Sequence, residues 1–199
     1  MKPCDLIVVG CSWGGLEALR GILGPLPDTY EIPVVAAQHR SPQAVPGHMA
    51  SALEARISLP VREVEDKDTI RPGHVYIAPP DYHLLIEPGS FALSVDEKVQ
   101  YSRPSIDVLF ESAADAYRER LVAVILTGAN KDGAAGFARV KKRGGTTIAQ
   151  DPSTAERSQM PQAAIDTGAA DMVLSLEEIS DVLLRLSAVG ASEGAGHVG

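Results

Sequence analysis

Leu6-Ile7-Val8-Val9-Gly10-Cys11-Ser12-Trp13-Gly14-Gly15 decides the fold class of this chain: an apolar, β-branched run breaks at glycines around one serine. Apolar residues then recur at helical spacing, at Leu16, Leu19, Ile22 and Leu23. The pattern predicts a strand, a tight turn and a helix. Such a turn holds a side chain at the carboxyl edge of a sheet, before the positive end of the helix dipole and its free N–H groups. Those surroundings suit a nucleophile in acyl transfer. Gly10-Cys11-Ser12-Trp13-Gly14 also fits the G-x-S-x-G spacing. Glycine-rich turns cradle phosphates too, and serine is a favoured helix cap, so this stretch alone leaves three uses open. A dinucleotide fingerprint fits worse, because Gly10, Ser12 and Gly15 do not reproduce G-x-G-x-x-G. No G-x-x-x-x-G-K-[ST] loop occurs in the sequence.

Apolar runs at 6–9, 34–37, 75–78, 121–126, 146–149 and 172–174 alternate with helical patterns at 16–23, 44–55, 105–117, 133–142, 161–167 and 176–186. This rhythm predicts an α/β fold: a doubly wound, mainly parallel β-sheet with helices on both faces. Leu121-Val122-Ala123-Val124-Ile125-Leu126 is continuously apolar, as a central strand covered on both sides should be. Two alternating runs flank Pro88-Gly89 and predict an antiparallel β-hairpin near one edge.

With 199 residues and 45% hydrophobic composition the chain can bury a full core, and one catalytic domain over 1–189 with a flexible tail at 190–199 is expected. No apolar run approaches the roughly 20 residues of a membrane-spanning helix, and the start lacks a signal peptide's apolar centre, so a cytoplasmic location without membrane insertion is expected. Cys4 and Cys11 are too few for a disulfide framework and lack metal-type spacing. The net charge of −8 argues against binding nucleic acid. Lys141, Lys142 and Arg143 are read as a basic helix end that complements the dipole. Nothing in the sequence calls for a cofactor or a metal.

Ligands of open α/β sheets gather outside the carboxyl ends of the strands. Three residues there have the types of a catalytic triad: Ser12, His39 and Asp132. A serine hydroxyl needs a base, and the base needs an orienting carboxylate. Backbone N–H groups of Trp13 and of Thr127-Gly128-Ala129-Asn130 would face the oxyanion. Duller uses compete: Asp132 is placed to cap its own helix, and His48, His74, His83 and His197 rival His39 as base.

Further blocks carry a resemblance. Gly10-Cys11-Ser12-Trp13-Gly14-Gly15, Gln38-His39, Pro72-Gly73-His74-Val75-Tyr76-Ile77-Ala78-Pro79, Arg103-Pro104-Ser105-Ile106-Asp107, Leu126-Thr127-Gly128-Ala129-Asn130-Lys131-Asp132-Gly133, Ala149-Gln150-Asp151 and Met160-Pro161 occur in order. Together they resemble the catalytic domain of the chemotaxis protein-glutamate methylesterases (CheB type). The resemblance implies a serine esterase that hydrolyses glutamate methyl esters on the cytoplasmic helices of chemoreceptors, releasing methanol, with glutamine deamidation in some members. It assigns Ser12 as nucleophile, His39 as base, Asp132 as orienting carboxylate, and the N–H groups of Trp13 and Ala129 as oxyanion donors. The family usually carries an N-terminal receiver domain, for which a first strand starting by Leu6 leaves no room. A stand-alone esterase or a fragment is therefore expected, with any control coming from a separate receiver protein. Trp13 stands where the family commonly has a smaller polar residue, and its ring is expected to narrow the cleft or stack on substrate. Rival functions are a hydrolase of another ester or amide, and a noncatalytic receptor-binding module.

Overall fold

The computed structural model describes residues 3–194. The opening run forms β1 (Leu6–Cys11), buried along its whole length, and turns through Gly14 into α1 (Gly15–Leu23). The chain continues with β2 (Val34–Gln38), α2 (His48–Glu54), β3 (Val61–Glu63), β4 (Val75–Ile77), β5 (His83–Glu87), β6 (Ser90–Ser94) and α3 (Ile106–Tyr117). It ends with β7 (Leu121–Ile125), α4 (Ala134–Lys142), β8 (Thr146–Gln150), α5 (Gln159–Asp166), β9 (Met172–Leu174) and α6 (Leu176–Gly194). Seven strands form one sheet in the order β3-β4-β2-β1-β7-β8-β9, and every neighbouring pair in it is parallel.

Period-two alternation divides the strands between two cores. Ile7, Val9, Val34, Ala36, Val122 and Val124 face a layer that includes Leu19 and Ile22 of α1 and Leu183 of α6. Leu6, Val8, Val35, Ala37, Ala123 and Ile125 face the opposite layer, with Leu109 and Phe110 of α3 and Phe137 of α4. Each fully buried Leu, Ile or Phe contributes on the order of 1.5–3 kcal/mol, so the doubly wound arrangement follows from strands with two apolar faces. Gly10 is the exception in β1, because α3 presses on it there: a Cβ would lie 2.3 Å from Cγ2 of Ile106. Gly10→Ala is expected to lower stability by about 1–3 kcal/mol through overpacking, measurable by chemical denaturation.

From β1 the chain steps to β2 on one side, while β7, β8 and β9 extend the sheet on the other. The carboxyl ends of β1 and β7 therefore form the topological switch point, where open α/β sheets hold their ligands.

Some details depart from the sequence reading. Val61-Arg62-Glu63 had no strand signal, yet it pairs with β4 as the outermost strand. The predicted hairpin, β5 with β6, is a separate two-stranded sheet. It lies against the loop after β3, where Lys67 N–H donates to Phe91 O at 3.1 Å and Ile70 N–H to Gly89 O at 2.9 Å. Helix α2 starts at His48, later than predicted, and α6 runs on to Gly194. The expected tail at 190–199 thus begins inside α6, and 195–199 lie outside the described residues. The basic cluster does fall at the last turn of α4, where Lys141 pairs with Asp171 and Arg143 with Asp115. Among the described residues no helix is long and apolar enough to cross a membrane.

Candidate active site

Strands β1 and β2 are in register with Cys11 opposite Gln38, so Ser12 and His39 leave adjacent strand ends side by side. The His39 N–H donates to Cys11 O at 3.1 Å, and the Ser12 N–H donates to Thr127 O, just after β7, at 2.9 Å. Both residues continue the alternation of the face that packs on α3. That is where Asp132 is found.

Asp132 is fully buried, and His39 Nε2 lies 2.7 Å from its Oδ2. The carboxylate sits on the N-terminus of α3: Oδ2 accepts from Ile106 N–H at 2.7 Å, and Oδ1 from Asp107 N–H at 3.1 Å and the Ser105 hydroxyl at 2.9 Å. Ser105 is itself the N-cap of α3. Burial alone would raise the Asp132 carboxyl, but the His39 hydrogen bond and the backbone donors of α3 hold it below the usual carboxylate value. Asp132 therefore stays ionised. The duller readings of two residues fall away: Asp132 serves α3 rather than its own helix α4, whose N-cap is Gly133, and the N-cap of α1 is Gly14 rather than Ser12.

An ionised carboxylate only accepts hydrogen bonds, so the proton of the neutral imidazole sits on Nε2 and Nδ1 carries a bare lone pair. Asn130 Nδ2 lies 3.3 Å from that Nδ1, and Asn130 Oδ1 accepts from Asp132 N–H at 3.1 Å. Among the described residues no hydrogen bond joins the Ser12 hydroxyl to His39. The structure thus brings His39 and Asp132 into contact and sets Ser12 beside them.

The N–H groups of Trp13 and Ala129, the expected oxyanion donors, have no intramolecular acceptor among the described residues. Their loops are tied together. The Thr127 hydroxyl donates to Trp13 O at 2.9 Å, and buried Gln150 accepts from Thr127 N–H through Oε1 at 2.9 Å. The Trp13 ring, 58% exposed, leans on the loop after β8. Its Nε1 donates to Glu156 at 2.5 Å, and the Arg157 guanidinium lies 5.3 Å from the ring centroid. Gly14, at φ 76, has Glu156 where a Cβ would go. Beside His39 lies a cleft of about 80 Å³ lined by Arg40, Lys98, Tyr101 and Arg103.

The rival groups have other employment. His83 is buried, with Nε2 on Glu97 O at 3.0 Å and Nδ1 accepting from Ser105 N–H at 3.2 Å. His74 Nδ1 lies 2.8 Å from Pro72 O, His48 begins α2, and His197 lies outside the described residues. Burial pushes the Cys11 thiol up to about 12, so the cysteine next to Ser12 is not a thiolate.

Sequence reasoning missed the side chains of Ser105, Asn130 and Gln150 as parts of the site. It also missed Asp107, a buried carboxyl behind Asp132 that accepts from Gly136 N–H at 2.7 Å. Burial, with the Asp132 charge adding to it, raises Asp107 to about 6. The folded state thus holds this proton above the pH at which the unfolded chain loses it, and stability falls as pH rises from about 4 through 6. The cost reaches about 3 kcal/mol at most. Asp107→Asn keeps an acceptor for Gly136 and is expected to remove this loss, so its advantage over the parent in denaturation should be larger at pH 8 than at pH 4.

A parallel α/β sheet with a histidine–carboxylate pair beside a serine turn at its switch point defines the class as a doubly wound α/β protein with a polar site at its strand ends. The model of the CheB methylesterase family matches residues 7–183, and the chain belongs to that family. The crystal structure of the Thermotoga maritima CheB methylesterase catalytic domain superposes with a TM-score of 0.85 at 38% identity, covering 93% of this chain and 100% of that one. The protein-glutamate methylesterase/protein-glutamine glutaminase of Symbiobacterium thermophilum is 41% identical over 184 residues, which are 92% of this chain and 51% of that protein. A Leptospira interrogans protein, provisionally described in the same words, is 46% identical over 183 residues, 92% of this chain and 94% of its own length.

Proposed function

We propose that this chain hydrolyses the γ-methyl esters of glutamate side chains on chemoreceptor helices, with Ser12 as nucleophile, His39 as base and Asp132 as the carboxylate that orients it. The 2.7 Å contact between His39 Nε2 and a buried, ionised Asp132 carries the reading. It leaves Nδ1 as the basic nitrogen at the strand end adjoining Ser12.

In the first step the Ser12 oxygen bonds to the ester carbonyl carbon and its proton passes to His39 Nδ1. Asp132 stabilises the resulting imidazolium without taking its proton. The carbonyl oxygen becomes an oxyanion, met by the N–H groups of Trp13 and Ala129. One such donor is worth about 2.7–4 kcal/mol. His39 then gives its proton to the leaving methoxide, which departs as methanol, and an acyl ester remains on Ser12. Water, deprotonated by the same nitrogen, releases glutamate and restores the serine.

A glutamine side chain offers the same carbonyl with an amine as leaving group, so deamidation uses the same groups. The names of the relatives include that activity. The test is product analysis on receptor preparations that carry either methylated glutamate or glutamine. Methanol from the first is expected. Ammonia from the second without methanol from the first would make the chain a deamidase, and neither product would leave a receptor-binding module.

A further inference from the structure

The geometry points to Asn130 as a positioning residue that caps the catalytic base in the free enzyme. The inference rests on the assignment of Ser12 and His39 as nucleophile and base. A neutral imidazole has one lone pair, and with Nε2 engaged by Asp132 at 2.7 Å that lone pair is on Nδ1. The group found on it is the side-chain amide of Asn130, at 3.3 Å. Which end of that amide faces His39 follows from its other contact. Asp132 N–H donates to Asn130 Oδ1 at 3.1 Å, so the carbonyl points at the backbone and the NH₂ group at the imidazole.

Asn130 thus donates to the lone pair that must receive the Ser12 proton. The two donors compete for one acceptor, and in the free protein Asn130 holds it. Asn130 is joined to Asp132 within a single turn, so the residue that orients the base and the residue that covers it lie on one loop. That loop also carries the Ala129 N–H. A substrate carbonyl that draws this loop into place on the oxyanion side rearranges the cap at the same time. His39 is then handed to Ser12 only when an ester is present. The contact given up is a single neutral hydrogen bond, a small barrier to a bound substrate and a brake on reaction with other electrophiles.

The test is the rate at which a fluorophosphonate labels Ser12 in the absence of receptor. In that reaction the Ser12 oxygen bonds to phosphorus, fluoride leaves and the serine proton goes to His39. Asn130→Ala and Asn130→Gly are expected to label about fivefold faster than the parent, the worth of one neutral hydrogen bond. Folding is checked by thermal melting, and the glycine variant adapts to any backbone the loop adopts. Because bound substrate gives up the same hydrogen bond, KM for methylated receptor should fall by a similar factor in both variants while kcat changes little. Equal or slower labelling in both variants overturns the cap and makes Asn130 a brace for the loop. Labelling of Ser12→Ala at the parent rate overturns the triad assignment instead, so the two failures are distinguishable.

Discussion

Ser12→Ala should abolish methanol release from methylated receptor, lowering kcat by about 10⁴-fold or more. The magnitude follows from what the hydroxyl does. Without it no acyl-enzyme forms, and the remaining catalysis comes only from the oxyanion donors and from binding. Fold and receptor affinity should be retained, because the Ser12 side chain neither caps α1 nor fills a core. Its structural contacts are through the backbone, to Thr127 O and from Gly15 N–H. A stopped assay for methanol, with receptor binding measured beside it, separates loss of chemistry from loss of fold. Activity within tenfold of the parent would remove Ser12 as nucleophile.

Asp132→Asn should be nearly as severe, by about 10⁴-fold in kcat, and for two reasons. An asparagine cannot hold the imidazolium. It also presents an NH₂ group to a pocket made of donors: the Ser105 hydroxyl, the Ile106 and Asp107 N–H groups and His39 Nε2. At least one donor is left facing another, which costs a further 1–3 kcal/mol or so of stability. The pH dependence has a definite sign. The Asp132 carboxyl lies below its ordinary value of 3.8 when folded, so its contribution to stability is complete above that value and fades as pH falls through the folded one. Acid denaturation of the variant should accordingly be less steep than that of the parent at low pH, in contrast to Asp107→Asn, whose benefit appears as pH rises.

The sheet was legible because its strands are buried on both faces. β1, β2 and β7 read as continuous apolar runs and lie where the runs predict, apart from an added Gly10, Cys11 and Gln38 and a Leu126 that falls just past the end of β7, where its N–H donates to Gly10 O at 2.9 Å. Val61-Arg62-Glu63 was not legible, since an outermost strand of three residues, with Arg62 exposed, shows no apolar period. Ser12 and His39 could be found because turns after parallel strands gather at one edge. The support for Asp132 could not be found from spacing. Ser105 and the first turn of α3 reach it across about 25 residues of chain, and only the Ser105-Ile106-Asp107 start of a helix hinted at an anion site. Asn130 was passed over because its role depends on which imidazole nitrogen Asp132 takes. Trp13 was expected to narrow the cleft or stack on substrate. Its ring is held by Glu156 and Arg157, contacts more than a hundred residues distant in sequence that spacing does not reveal.

The central claim is that one residue, Ser12, carries the acyl group. Peptide mapping by mass spectrometry after graded fluorophosphonate treatment tests it most directly, with residual methanol release measured on the same samples. The account predicts a single adduct, on the peptide containing Ser12, with activity falling linearly to zero as labelling reaches one equivalent. Full methanol release from protein labelled at Ser12, or inactivation with the adduct on another residue, would contradict it.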